Sequence, residues 1–207
     1  MIGAMKHTTL IKMCIVFAAM ASMGCSMWAE QLPHPSITGG MPLMEAMSKR
    51  CSQRDIDPAS EITRQELSNM LWAAWGITHD GKRTVATAMN RQELEIYVVT
   101  AKEISKYDAA TNTLTTIATG DFRSQVAMQD FAKQAPVNIV FVGNNTKQPE
   151  VMHQCYAAGA ASQNVYLYCA QAGLKTVLRY GCDREAMKQT MQLSESQTIL
   201  YVQTVGR

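Results

Sequence analysis

The run Val137 to Val142 constrains the fold of this 207-residue chain more than any other segment. It is almost wholly apolar, it is rich in β-branched residues, and Pro136 stands directly before it. Six residues are too few for a typical helix, whereas an apolar run of this length is typical of a strand that is buried in a sheet. The sequence therefore predicts a sheet that contains a buried strand and has helices packed over it.

The other elements follow from local patterns. Thr63 and Glu66 form a capping box, an apolar stripe at helical spacing follows it, and Gly76 supplies the stop. We predict further helices over residues 42–47, 121–133, 150–172 and 183–191, and strands over 94–101, 104–108, 113–118, 174–180 and 198–205. This order predicts an α+β fold with a mixed, mainly antiparallel sheet flanked by helices.

The N-terminus has the pattern of an export signal. Two lysines precede an apolar run from Met13 to Met23, which suits a signal peptide and is too short to span a bilayer. We predict a signal peptide over residues 1–29 with cleavage after Ala29, and hence an exported, periplasmic protein without a membrane span once the signal is removed. The alternatives are processing at Cys25 to give a lipoprotein, and an unprocessed apolar helix.

Residues 30–40 are rich in Pro, Gly and Ser and predict a linker, and residues 41–207 then form one domain. A net charge of +2 gives no argument for a nucleic-acid partner. The run Ala157 to Ala161 has almost no side-chain bulk, so its helix can approach another backbone closely. Tight packing inside the chain and a subunit interface both explain that run.

Four cysteines follow the predicted signal: Cys51, Cys155, Cys169 and Cys182. None belongs to a Cys-x-x-Cys pair, so a zinc site has little support and we predict no metal. In an exported protein these residues could form disulfides, although a domain of this size does not need them. Cys169 lies on an apolar helical face, where a buried free thiol is the expected state.

The segment Lys49 to Arg54 places the Ser52 hydroxyl between the guanidinium groups of Arg50 and Arg54. Arginine binds phosphate oxygens in pairs and a hydroxyl adds one more donor, so the cluster suits a phosphate monoester. Taken alone, a solvated basic face at a helix end explains it as well.

Asn90 and the pair Tyr180-Gly181 are further candidates. Asn90 lies in an irregular loop before a strand, and its amide can donate to and accept from the edge of a heterocycle. Tyr180 and Gly181 stand between a strand and a capped helix, where backbone amides can donate to a ring nitrogen or an anion. The alternatives are a turn residue at position 90 and a conformational hinge at position 181.

The sequence lacks the Gly-rich dinucleotide loop, the phosphate loop, the nucleophile elbow and the His-Glu-x-x-His motif. No pair of carboxylates stands out for acid–base chemistry, and we predict no catalytic side chain. Redox or transfer chemistry without visible catalytic side chains indicates a cofactor that carries it.

In this order, the segments resemble the FMN-dependent nitroreductase superfamily, and most closely its thiazoline/oxazoline oxidase branch (SagB-type dehydrogenases). The resemblance covers Met41 to the C-terminus. The matching stretches are Arg50–Arg54, Leu71–Ile77, the Arg83-Thr84 loop leading to Asn90, Glu95–Val99, Ser162–Leu167 and Gly173–Thr176. Ala86-Thr87 departs from the Pro-Ser that is frequent in this branch.

The resemblance implies one set of contacts at the FMN tail. Arg50 and Ser52 would contact the phosphate and the ribityl chain, and Arg54 the ribityl chain or the pyrimidine side. Arg207 matches a C-terminal basic position that reaches the phosphate.

The resemblance implies a second set of contacts at the flavin ring. Asn90 would bind the ring edge, and the backbone amides of Tyr180 and Gly181 would lie near N5, where hydride arrives. FMN would lie in the interface of a homodimer, with the helix around Gly159 at that interface.

The function that the resemblance implies is an exported FMN-dependent oxidoreductase. It would pass hydride or electrons between a reductant such as NAD(P)H and a small organic acceptor. Two alternatives from other classes stay open, namely an exported flavin-binding module without turnover and an exported binding protein without flavin.

Overall fold

The structure, a computed structural model, describes residues 29–207, so the predicted signal peptide and Cys25 lie outside the described residues. Its centre is a seven-stranded sheet in the order β1-β4-β3-β2-β5-β7-β6, in which every pairing is antiparallel. The strands are β1 (Ala29–Gln31), β2 (Leu94–Val99), β3 (Glu103–Asp108), β4 (Thr113–Thr119), β5 (Val137–Asn144), β6 (Lys175–Arg179) and β7 (Gln197–Gly206). The predicted α+β class with a mainly antiparallel sheet is confirmed.

Within residues 29–207, six α-helices flank this sheet. They are α1 (Leu43–Lys49), α2 (Arg64–Trp75), α3 (Arg123–Val126), α4 (Asp130–Gln134), α5 (Val151–Ala172) and α6 (Arg184–Thr190). None of the helices within residues 29–207 combines the length and the apolar character that crossing a membrane requires.

The core consists of two apolar layers, one on each face of the sheet. Alternate residues of a strand point to opposite faces. In β5, Ile139 and Phe141 therefore join the layer that contains α2 and α5 residues, whereas Val140 and Val142 join the layer that contains Met187 of α6. The predicted buried strand is confirmed, and cover on both faces explains why its sequence is apolar almost throughout.

Local signals set the ends of the main helices as predicted. The Thr63 hydroxyl accepts the Glu66 N–H at 3.2 Å, and the Glu66 carboxylate accepts the Thr63 N–H at 2.8 Å, which completes the capping box of α2. Gly173 ends α5 in the left-handed conformation, with φ of 66°. Asp183 caps α6 by accepting the Ala186 N–H.

The single helix predicted over residues 121–133 is wrong. The chain forms α3 and α4 instead, with Ala127 in an extended conformation between them. In a continuous helix, the carbonyls of Gln125 and Val126 would each accept the N–H of the residue four positions later. Here the Asp183 N–H donates to the Gln125 carbonyl at 2.8 Å, and the Arg179 guanidinium donates to the Val126 carbonyl at 3.3 Å. These partners from distant parts of the chain therefore split the helix.

The linker predicted over residues 30–40 also needs correction at its start. Residues 29–31 pair with β4, and Leu32 is a buried member of the core. The following residues run along α2, since Gln65 donates to the His34 carbonyl at 3.0 Å and Asn69 accepts the Ser36 N–H at 2.8 Å. Backbone pairing with a distant strand is not visible in the composition of the segment.

The small-residue run of α5 divides into two parts. Ala157, Ala158 and Ala161 are fully buried in the core, which confirms tight packing inside the chain for these residues. Gly159 is exposed, and a Cβ placed there would meet no atom within 4 Å. The outward face of the helix at Gly159 is therefore free within the described chain.

Candidate functional site

The outer edge of β6 carries the first part of the site. The sheet ends at β6, so its outward N–H and C=O groups need partners from elsewhere. The Gln53 N–H donates to the Thr176 carbonyl at 3.0 Å, and the Leu178 N–H donates to the Tyr166 hydroxyl at 2.8 Å. The segment 50–54 is therefore fixed along the edge strand and beside α5.

Tyr166 brings Arg50 and Ser52 together. Its hydroxyl lies 2.8 Å from the Ser52 Oγ, and the Arg50 guanidinium carbon lies 5.2 Å from the centroid of its ring. Because the phenol oxygen already accepts the Leu178 N–H, its proton can go to Ser52. The Ser52 O–H then points to solvent as a donor.

The arginines of the cluster lack acidic partners. Lys49 pairs with Glu45 at 2.7 Å on the same helix, and Lys175 pairs with Asp55 at 2.7 Å. Among residues 29–207, no carboxylate lies within 4.0 Å of Arg50 or Arg54. Two guanidinium groups and a hydroxyl donor therefore face outward without a carboxylate to neutralise them, which suits an anion with several oxygens.

The second part of the site is the turn Tyr180-Gly181 at the end of β6, whose peptide planes are held by two arginines. Arg184 Nη2 donates to the Tyr180 carbonyl at 2.9 Å, and its guanidinium carbon lies 3.9 Å from the centroid of the Tyr180 ring. Arg179 Nη1 donates to the Gly181 carbonyl at 3.2 Å. In a trans peptide the N–H points opposite to the C=O, so the Gly181 N–H points away from Arg184.

The backbone conformation at position 181 does not require a glycine, because its φ is outside the left-handed region. A Cβ at this position would meet the Cγ of Met128 at 3.4 Å, an ordinary contact. The hinge explanation for Gly181 is thus unsupported, and an exposed amide beside Met128 and the Tyr180 ring remains.

Asn90 lies in a strained loop, the third part of the site. Met89, Asn90 and Gln92 have φ of 54°, 54° and 48°, values that residues with side chains rarely adopt. Gln92 holds the loop, since its N–H donates to the Thr87 hydroxyl at 3.1 Å and its side chain donates to Asn90 Oδ1 at 3.2 Å. Strain of about 1–3 kcal/mol per residue persists where surrounding contacts enforce it, often at ligand sites.

The register of the sheet places the Tyr180-Gly181 turn and the Asn90 loop at the same end of their strands. Arg179 of β6 pairs with Val202 of β7, whereas Leu94 of β2 pairs with Gly143 of β5, which pairs with Thr198 of β7. The Asn90 loop and the Tyr180-Gly181 turn therefore leave the same end of the sheet from strands that lie three spacings, or about 14 Å, apart, with a further offset along the strands between Thr198 and Val202. Leu178, beside Ser52, is about 10 Å from Gly181 along β6.

The comparison with known families decides the identity of this arrangement. The nitroreductase family profile matches residues 47–207, from just before the arginine cluster to the last residue. The chain belongs to the nitroreductase family. This membership supports an oxidoreductase as the enzyme class.

Relatives agree with this family. A Methanocaldococcus jannaschii protein named for nitroreductase activity is 30% identical over 152 residues, which are 65% of this chain and 76% of that protein. A nitroreductase homologue from Ralstonia eutropha JMP134 has a crystal structure with a TM-score of 0.81 and 34% identity, over 89% of this chain and 91% of that one. A Desulfovibrio desulfuricans homologue solved with FMN gives 0.58 at 17% identity, over 81% and 87%, which shows the shared fold alone.

Arg207 makes its contacts with residues other than those of the arginine cluster. Its guanidinium binds the Glu66 carboxylate and donates to the Glu61 carbonyl at 3.2 Å, while its N–H donates to the Ser60 hydroxyl at 3.2 Å. These contacts fasten the end of β7 to the start of α2. The phosphate contact that the nitroreductase resemblance implies for Arg207 stays a prediction, and it would require the side chain to leave Glu66.

Sequence reasoning assigned no role to Tyr166 or Arg179, which organise the site. Tyr166 lies on the buried face of α5 beside Val165, and a tyrosine there needs a partner for its hydroxyl. Arg179 is a charged residue at the end of β6, directly after the apolar pair Val177-Leu178. Both signals indicate a polar contact, but neither identifies the partner.

Proposed function

We propose that this nitroreductase-family protein is an FMN-dependent oxidoreductase. It would use NAD(P)H or another reductant to reduce a small organic acceptor, with FMN carrying hydride and electrons between the two substrates. The observation that carries the proposal is the pair of guanidinium groups without a carboxylate partner that flank Ser52, beside Tyr166, which contacts Arg50 and Ser52.

The residues present fit an FMN tail. A phosphate monoester would take paired donors from Arg50, together with the Ser52 hydroxyl. Arg54 is exposed and lies two residues from Ser52, so it would contact the ribityl chain or the pyrimidine side. No acid near these groups has to be displaced, because Glu45 and Asp55 are already paired with lysines.

The residues present also fit a flavin ring. Among residues 29–207, the Asn90 side-chain nitrogen has no acceptor, while its oxygen accepts from Gln92. It is therefore available to a carbonyl on the ring edge. The Gly181 N–H, fixed by the arginine contacts to the neighbouring carbonyls, would donate near N5 and orient the ring for hydride transfer.

We further propose a homodimer with the site at its interface. The outward face of α5 carries Met152, Tyr156 and Gly159, and the adjacent α1 exposes Leu43 and Met44. Large apolar side chains exposed together mark association surfaces. An exposed glycine among them allows a second backbone to approach closely. The resemblance to the nitroreductase superfamily supports the same arrangement.

We also propose export, on the strength of the N-terminal apolar run. NAD(P)H is scarce outside the cytoplasm, which leaves a variant of the same proposal. In this variant the enzyme oxidises a substrate in the cell envelope, as a thiazoline/oxazoline oxidase oxidises its own substrate. Fractionation of cells that express the full chain would place the protein, and mass spectrometry of its N-terminus would separate cleavage after Ala29 from lipidation of Cys25.

The decisive experiment is FMN binding by Arg50→Ala. We expect the purified protein to bind FMN, and we expect Arg50→Ala to weaken that binding about 10- to 100-fold, the value of one or two charge-assisted hydrogen bonds. Lys49→Ala is the matched control, because its ammonium group already pairs with Glu45. Equal FMN affinity in the two variants would remove the phosphate assignment.

Turnover is a separate question from binding. Mixing the FMN-loaded protein with NADH or NADPH under air-free conditions should bleach the flavin absorbance, and adding a nitroaromatic or quinone should restore it. A protein that binds FMN but is reduced by no donor would be the flavin-binding module. A protein that binds no FMN would be the binding protein without flavin.

The dimer is tested by Gly159→Arg. No atom of the described chain lies within 4 Å of a Cβ at this position, so the substitution should leave the monomer folded. We expect sedimentation to show a dimer for the wild type and a monomer with weaker FMN binding for the variant. A dimer of unchanged strength in the variant would move the interface away from this helix face.

A further inference from the structure

Arg179 is a buried cation whose partners are all neutral. Its side chain donates to the Thr204 hydroxyl at 2.9 Å, to Asn138 Oδ1 at 3.0 Å, and to the carbonyls of Gly181 and Val126 at 3.2 and 3.3 Å. The residue is 8% exposed. All these acceptors carry partial charges only, so the full positive charge stays uncompensated.

No carboxylate of residues 29–207 pairs with the Arg179 guanidinium, since none lies within 4.0 Å of it. Asp183, the nearest acid in sequence, faces α6 and accepts the Ala186 N–H at 3.1 Å. The other charge at the turn is the Arg184 guanidinium on the Tyr180 ring, and it too binds only carbonyls.

Burying a charge without a counter-charge is costly. Burial lowers the pKa of Arg179 to about 10, which still leaves it charged at neutral pH. A cation kept in such a place is therefore a candidate partner for a negative charge that the chain itself does not provide.

We propose that Arg179 is a positioning residue that places positive charge beneath the Tyr180-Gly181 turn and so favours the two-electron-reduced, anionic form of the bound cofactor over its oxidised form. The inference rests on the proposed function. Reduction of FMN by a hydride donor adds two electrons and one proton, so the flavin ring gains one negative charge, and the donor loses the same hydride.

The size of the effect follows from Coulomb's law. Across the Gly181 peptide, the guanidinium and a ring bound to the amide would be about 8 Å apart. At an effective dielectric constant of about 20, unit charges at that separation change an equilibrium about thirtyfold. With solvent screening we expect about tenfold tighter binding of the reduced form, which is about 30 mV in the midpoint potential of a two-electron couple.

The test uses Cys182, which is half-buried and adjacent to the turn. Burial raises the pKa of the Cys182 thiol, the positive charges of Arg184 and Arg179 act to lower it, and the negative charge of Asp183 acts to raise it. Cys182→Asp would neutralise part of the field without removing Arg179, and Cys182→Asn is the matched neutral control. Equilibration with redox dyes gives the midpoint potential, and titration gives the affinity for oxidised FMN.

We expect the midpoint potential of Cys182→Asp to lie about 30 mV below that of Cys182→Asn, with the affinity for oxidised FMN changed less than about threefold. Arg179→Met should give the same direction, and Arg179→Lys should restore most of the wild-type value. Equal potentials in the two Cys182 variants would overturn this role and leave the proposed function intact. A wild-type protein that binds no FMN would overturn both.

Discussion

Replacing Tyr166 with phenylalanine removes the hydroxyl that links Leu178 of β6 to Ser52. In the structure this oxygen accepts the Leu178 N–H at 2.8 Å and lies 2.8 Å from the Ser52 Oγ. An N–H left without an acceptor costs about 1–3 kcal/mol when it is fully buried. Leu178 is half-buried, so water can partly replace the phenol, and we expect the lower value of about 1 kcal/mol.

The stability change is measurable. For a chain of this size, about 1 kcal/mol lowers the melting temperature by about 2–4 °C. Urea unfolding should show a lower midpoint with an unchanged slope, because the surface exposed on unfolding is the same. The phenyl ring remains under the Arg50 guanidinium, so that contact is conserved and should not contribute to the loss.

The same substitution should weaken FMN binding about three- to tenfold, because Ser52 loses the partner that orients it toward the phosphate, a change worth about one ordinary hydrogen bond. Fluorescence quenching of FMN on titration measures this change. Tyr168→Phe is the control, since its side chain lies on the same helix and its hydroxyl binds neither Ser52 nor Leu178. Wild-type stability and FMN affinity in Tyr166→Phe would refute the assignment of this hydroxyl as the link.

Three further predictions concern stability. Thr63→Ala removes the cap of α2 and should cost about 1 kcal/mol in urea unfolding, with Ser in its place restoring most of it. Burial acts to raise the pKa of Glu95, but hydrogen bonds from Lys106 and Asn144 outweigh it, and the net pKa lies below the ordinary 4.5. A carboxyl with a lowered pKa stabilises the fold at neutral pH and loses that contribution as the pH falls below about 4.5. Glu95→Gln should therefore be less stable at pH 7 by about 1–3 kcal/mol and should flatten the acid limb of the stability curve; an unchanged limb would contradict this. Gly206→Ala would push a Cβ into Ile56 and should destabilise by about 1–3 kcal/mol, whereas Gly181→Ala meets only an ordinary contact with Met128 and should keep its stability.

Much of the fold was predictable because its signals are local. The capping box at Thr63, the Gly173 stop of α5 and the Asp183 cap each involve residues a few positions apart. The short apolar run of β5, directly after Pro136, indicates a buried strand before any partner strand is known. The arginine cluster of the site was found in the same way, as a short pattern with a chemical preference.

The partners in the site could not be predicted in this way. Tyr166 and Ser52 are 114 residues apart, and Arg179 and Val126 are 53 apart. A tyrosine in a helix or an arginine in a strand indicates that some polar contact exists. Many acceptors along the chain would satisfy it, so the sequence pattern leaves the choice open.

Patterns among neighbouring residues therefore predict the type and approximate ends of most elements, the α+β class and the arginine cluster. Contacts between distant segments were needed to establish that residues 29–31 join the sheet, that the predicted helix over 121–133 divides, and that Arg207 binds Glu66. In each case a backbone or side-chain group has several partners of similar strength. The packing of distant segments fixes which one lies within hydrogen-bonding distance.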